Sequence, residues 1–107
     1  VMNDLNTVSA LVKEILEEDT QARNDDNVLY LRVLEHSCGR NGIRLGTMTV
    51  PVFLLHMKDY GLPGFETVRR SRQKVQADNP DLAGSEAVRR KRAKKEDEYR
   101  AFARSEV

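Results

Sequence analysis

Tryptophan is absent from this chain and cysteine occurs once. A lone thiol, Cys38, closes no internal disulfide, and a structural zinc site asks for four Cys/His ligands where the chain offers only His36, Cys38 and His56. Long apolar runs are missing too. The longest, Val50-Pro51-Val52-Phe53-Leu54-Leu55, falls far short of the roughly 20 residues that cross a bilayer. The first residues, Val1-Met2-Asn3-Asp4-Leu5, carry neither a basic start nor an apolar signal core and predict no secretory leader, with Val1 ahead of Met2 read as a remnant. A cytoplasmic protein is expected. Charge of one sign is also lacking, since 18 Lys+Arg against 17 Asp+Glu leave a formal net charge of +1.

What the chain has is 107 residues, 33% of them charged and 39% hydrophobic, enough for one modest core in a single domain. The near-neutral balance averages two unlike halves. Residues 1–60 hold 6 Lys+Arg and 9 Asp+Glu, a net of −3, whereas residues 61–107 hold 12 and 8, a net of +4. Between Arg69 and Lys95, ten basic residues face Asp78, Asp81 and Glu86. Such a segment is an electrostatic footprint for polyanions, and charge runs equally form solvated helical faces.

Periodicity predicts an all-α chain: a bundle of about four helices followed by a charged C-terminal helix. Leu5, Val8, Leu11, Val12, Ile15 and Leu16 fall at the spacing of one helix face. Asn6 or Thr7 would cap that helix, and residues 17–20 would be its frayed end. Residues 28–36 predict a second, central helix, with Leu31, Leu34 and Cys38 on one line and Gly39 ending it. Residues 39–48 read as a loop with a short extended piece over 43–45. Thr49 would cap a third helix that tolerates Pro51 in its first turn and buries Val50, Phe53, Leu54 and Met57.

The cluster Tyr60-Gly61-Leu62-Pro63-Gly64 breaks the chain before a fourth helix from Phe65 to Gln76, ending near Asn79-Pro80. Phe65, Val68, Arg72 and Val75 share its core side, and Arg72 would lay its stem there with its charge reaching out. Arg70 and Gln73 point furthest from that side, flanked by Glu66, Thr67 and Lys74. Arg can pair with guanine, Gln with adenine, and Lys or Thr with phosphate. Helix, turn and basic helix over about 49–78 resemble a helix-turn-helix DNA-binding unit, with the third helix in support and the fourth in the major groove. The buried aliphatic expected six residues after the turn glycine falls one position late, at Val68, so the turn would be about one residue longer than in the tight form.

The run Leu62-Pro63-Gly64-Phe65-Glu66-Thr67-Val68-Arg69-Arg70-Ser71-Arg72-Gln73-Lys74-Val75-Gln76, followed by Asn79-Pro80-Asp81-Leu82, resembles a pattern in small phage and prophage proteins of Gram-positive bacteria. The resemblance implies a phage context, hence the host bacterial cytoplasm, and no particular activity.

Residues 81–107 form the charged tail, within the domain of residues 1–80 or extending from it. Ser85 would cap a helix from Glu86 to about Arg104, supported by Arg92/Glu96 and Lys94/Glu98 pairs. Basic residues in its first half oppose the helix dipole, which suggests a use for them. Arg89, Arg90, Arg92, Lys94 and Lys95 would contact phosphates, joining Thr67, Arg69, Arg70, Gln73 and Lys74. Tyr99 and Phe102 could pack against a second copy, setting two recognition helices on neighbouring half-sites.

Catalysis has little support: no nucleophile motif is present, and Gly42 and Gly46 have neither the spacing nor the Lys of a phosphate-binding loop. No cofactor and no metal are expected. The leading expectation is a duplex-DNA-binding protein of helix-turn-helix type, acting in transcriptional control, packaging or replication. The alternatives are a phage-encoded inhibitor of a host defence nuclease or polymerase, of the anti-CRISPR kind, and a structural oligomer without nucleic acid.

Overall fold

The computed structural model describes residues 5–105, so the reading of Val1 to Asp4 lies outside the described residues. Those described are all-α, with six α-helices and two short 3-10 turns. Helix α1 (Leu5–Glu18) is the amphipathic helix the spacing predicts, burying Val8, Val12 and Leu16. Asn6 and Thr7 lie within this helix rather than ahead of it as caps.

Where a frayed end was expected, Asp19 takes an extended conformation and starts a new helix, α2 (Thr20–Asn24). Its carboxylate accepts from the backbone N–H of Gln21 at 2.9 Å and of Ala22 at 3.4 Å, and Ala22 is fully buried. Asp25 repeats the device for α3 (Asp26–Arg40), accepting from the Asn27 N–H at 2.9 Å. Helix α3 runs straight through Gly39. The left-handed residue that turns the chain is Gly42, at φ 72°, three positions later. The buried face of α3 is also rotated from the predicted one: Leu29, Val33, Leu34 and Cys38 are buried and Leu31 is exposed. A helix with aliphatics on most sides leaves its facing to be chosen by what packs on it.

The loop after α3 holds a 3-10 turn at Leu45–Thr47 in place of the expected extended piece. Helix α4 (Val50–His56) starts as predicted, with the Thr49 hydroxyl accepting from the Val52 N–H at 3.4 Å and Pro51 in the first turn. Its predicted stripe divides. Phe53 and Met57 pack on a small cluster formed by Leu34, Cys38 and Leu62, while Val50 and Leu54 are exposed, as are Val52 and Leu55. Two turns of helix lying on a small cluster cover only one side.

Helices α5 (Phe65–Asp78) and α6 (Glu86–Ser105) follow, separated by a 3-10 turn at Pro80–Leu82 that inserts Leu82 into the main core. That core joins Val8, Val12 and Leu16 of α1 to Ala22, Leu29, Val33, Val68, Val75 and Leu82. Helix α5 therefore lies chiefly along α1, with α3 beside both. Residues 57–64 separate it from α4, passing through Gly61 at φ 64° and a buried Leu62. The link is longer than the turn expected of a helix-turn-helix unit, and the helix that supports α5 is α1 rather than α4. The aliphatics of α1 offered a larger apolar face than the seven-residue α4.

Candidate nucleic-acid interface

Local packing fixes the facing of α5. Val68, Ser71, Arg72 and Val75 are buried, so Arg70, Gln73 and Lys74 are left exposed as the helical spacing required. Its N-terminal end is held by Phe65, whose ring meets Tyr30 edge-on with centroids 5.3 Å apart, and by the Tyr30 hydroxyl, which donates to the Pro63 carbonyl at 3.0 Å. Thr67 is half-buried. Arg69 is drawn back to Glu66, donating from Nε at 2.9 Å, and Arg70 Nε lies 3.4 Å from the same carboxylate. The hydrogen bonds from Arg69 hold the Glu66 carboxyl below its usual range. Glu66 thus offsets part of the charge of this first turn, whereas the exposed Gln73 and Lys74 make no ion pair among the described residues.

Arg72 departs most from expectation. Its guanidinium does not reach solvent: the residue is 6% exposed and forks onto Asp26, with Nε at 2.7 Å and Nη2 at 3.3 Å from the two carboxylate oxygens. Its Nη1 donates to the Gln76 side-chain oxygen at 3.2 Å, and Gln76 Nε2 in turn lies 3.2 Å from the Arg23 carbonyl and 3.0 Å from that of Leu82. From α6, Arg92 enters the same node, donating from Nη1 to the Arg23 carbonyl at 3.1 Å, with Nη2 3.6 Å from Asp26 Oδ1. Burial, and then the charge of Arg72, push the Arg92 guanidinium down from its ordinary value. Guanidinium basicity is high enough that the group keeps its proton. Two cations share one carboxylate at this node.

The start of α6 is bound to the same place. Ser85 caps it, its hydroxyl accepting from the Val88 N–H at 3.3 Å, while the Ser85 N–H donates to Asn24 Oδ1 at 2.7 Å. Gly84 is buried against this junction, where a Cβ would stand 2.8 Å from the Arg23 carbonyl oxygen. Beyond Arg92 the helix leaves the body, and Tyr99 and Phe102 are exposed. The predicted Arg92/Glu96 and Lys94/Glu98 pairs do not form. Arg92 turns inward, Glu96 pairs with Arg100 at 3.2 Å, and Arg90 pairs with Glu86 at 2.6 Å. Arg89, Lys91, Lys94 and Lys95 are exposed and make no ion pair among the described residues.

Between α5 and α6 runs an open groove of ≈ 1310 Å³, floored by Asp25 and Asp26. Arg69 and Gln73 stand on one wall and Arg89, Arg92 and Lys95 on the other. The structure thus brings half of the predicted residues to one groove. Thr67, Arg70, Lys74, Arg90 and Lys94 lie outside its lining. Asp26 and Gln76, which organise the node, were not among the predicted residues. Asp26 follows an acid that already serves as the cap, and that redundancy was the available signal.

Elsewhere, His56 Nδ1 lies 2.9 Å from an oxygen of Asp59, and Cys38 sits in the smaller core cluster, where burial pushes its thiol up. No protein-family model matches the chain, and no curated protein or solved structure shows significant similarity to it.

Proposed function

We propose that this chain binds duplex DNA, presenting α5 as a recognition helix and using the first half of α6 on the phosphates, in a phage context of transcriptional control, packaging or replication. The observation that carries the reading is the set of exposed cations without an acidic partner among the described residues, Lys74 on α5 and Arg89, Lys91, Lys94 and Lys95 on α6, next to the exposed Gln73. Cations held clear of internal partners are free to displace the counterions of a polyanion. Gln73 and Arg70 are suited to base edges, and Thr67, Arg69 and Arg90 to the flanks of the contact, while Arg92, turned into the node, anchors α6. Neither a catalytic group nor a cofactor enters this reading.

Mobility-shift titration against duplex DNA at two salt concentrations tests it. Affinity should fall steeply with salt and drop further in Arg70→Ala and Lys74→Ala; absence of binding at about 50 mM salt overturns the reading. One observation favours a second reading, inhibition of a host nuclease or polymerase by direct contact. Val50, Leu54 and Leu55 expose an apolar side of α4 that DNA binding leaves unused. A complex with a purified host effector that survives nuclease treatment would support it.

A further inference from the structure

The two walls of the groove between α5 and α6 run in opposite directions. Arg72 and Arg92 meet at Asp26, and Arg69, raised above its ordinary value first by its hydrogen bonds with Glu66, is raised further by the charges of Asp26 and of Glu96 on the other wall. One turn further along each helix, Phe65 and Tyr99 line the same end of the groove, 40% and 76% exposed. Phe65 is held edge-on by Tyr30, whereas Tyr99 belongs to neither core cluster. Most acids of the lining are engaged: Asp26 with Arg72 and Arg92, Glu66 with Arg69 and Arg70, and Glu96 with Arg100. Asp25 caps α3 at the floor. On the α6 wall, Arg89, Lys91 and Lys95 are exposed and make no ion pair among the described residues.

We propose that this groove binds a short stretch of single-stranded nucleic acid, with a base stacked on Tyr99 and phosphates on Arg89, Lys91 and Lys95. Cations alone would suit any polyanion. Aromatic rings among them select a strand with open bases, because a base paired in a duplex is stacked on its neighbours and has no face to offer. The floor points the same way. Asp25 repels phosphate and suits the amino groups of bases, so bases turn inward and phosphates lie along the rim. Gln73, exposed on the α5 wall, carries a donor and an acceptor for base edges. From Val88 to Tyr99, α6 advances about 16 Å, the length of about five nucleotides at the spacing of stacked bases. A single strand is a different ligand from the duplex proposed above, and this site stands without that reading, although the same α6 cations would serve both.

Fluorescence anisotropy of the full chain tests the site, using labelled oligodeoxycytidylate and oligocytidylate of about 8 nucleotides and a blunt-ended duplex. One or both single strands should bind, and log affinity should fall against log salt with a slope of about −2 for three phosphates held. Tyr99→Ala should weaken binding about 5-fold or more, and Tyr99→Phe should keep it within about twofold, because the ring and not the hydroxyl carries the base. The chain lacks tryptophan, so its tyrosine emission is read directly. That emission should be quenched on binding in the parent and less so in Tyr99→Phe. Tyr99 is exposed, and unchanged circular dichroism will show that both variants fold. Absence of single-strand binding at about 50 mM salt overturns the proposal. So does a Tyr99→Ala variant that binds like the parent, or polyglutamate that competes as well as the oligonucleotide at equal charge, either of which marks a site for negative charge alone. Duplex binding without single-strand binding overturns this site and keeps the duplex reading; the reverse keeps the site and removes that reading.

Discussion

Arg72 and Asp26, 46 positions apart in the chain, form a two-pronged ion pair at 2.7 and 3.3 Å, with side chains 7% and 22% exposed. The pair ties α5 to the start of α3, and the approach of Arg92 brings α6 to the same carboxylate.

Removing the shared acid should cost more than removing either base. Asp26→Ala leaves two guanidiniums facing each other in a half-dry site and is expected to lower stability by about 2–4 kcal/mol, whereas Arg72→Met keeps the stem and leaves Asp26 with Arg92, at a smaller cost. Urea denaturation of the two variants gives the order directly.

Gly84→Ala forces a methyl group to within 2.8 Å of the Arg23 carbonyl oxygen. The expected loss is about 1–3 kcal/mol, and the attachment of α6 should loosen before the core opens. Hydrogen exchange would show this as faster exchange in residues 86–92 with α1 unchanged.

Gln73 and Lys94 should behave differently on DNA. Gln73→Ala is expected to relax sequence preference, at a cost of about 1–3 kcal/mol on the preferred site. Lys94→Ala should weaken all sequences alike and reduce the salt slope by about one. Binding to two unrelated duplexes over a salt series separates the two effects.

The dependence on pH follows from three groups. Burial raises the Cys38 thiol above its ordinary value of 9.0, so its contribution is present below that value and is lost as pH rises through the higher folded value. A thiol reagent at pH 8 should label Cys38 slowly in the native protein and quickly in urea. Asp19, held low first by its hydrogen bond from Arg32, and Glu66, held low by Arg69, act in the opposite sense. Their contributions are present above the ordinary values of 3.8 and 4.5 and disappear as pH falls through the lower folded values. Both pairs are exposed, so a thermal melt series should show only a shallow acid limb.

Ser71 lies fully buried in α5, and its hydroxyl has no hydrogen-bond partner among the described residues. Ser71→Ala removes a desolvated polar group without opening a cavity of any size and should raise stability by up to about 1 kcal/mol. The melting temperature of the variant is the measurement.

The helices themselves were legible in the sequence because local rules specify them. The spacing of Val8, Leu11, Val12, Ile15 and Leu16 names a helix face, and Thr49 and Ser85 mark helix starts by capping chemistry that acts within three residues. Cap signals also admitted more than one solution: Asp19 and Asp25 bound a helix where a loop was expected. The exposed set Arg70, Gln73 and Lys74 followed from helical geometry once Val68 and Val75 were known to face inward.

Tertiary structure decided whatever depended on partners distant in the chain. Whether α3 would bury Leu29 or Leu31, and whether α5 would rest on α4 or α1, depended on which apolar faces met, and neighbouring residues do not encode that choice. The fate of the cations was decided in the same way. By sequence Arg92 and Lys94 are equivalent positive charges on one helix, and Arg72, though on the core side of its own, was expected to carry its charge out to solvent like them. Only folding brought Asp26 within reach of Arg72 and Arg92 and left Lys94 in solvent, and a buried guanidinium needs such a carboxylate while an exposed cation does not.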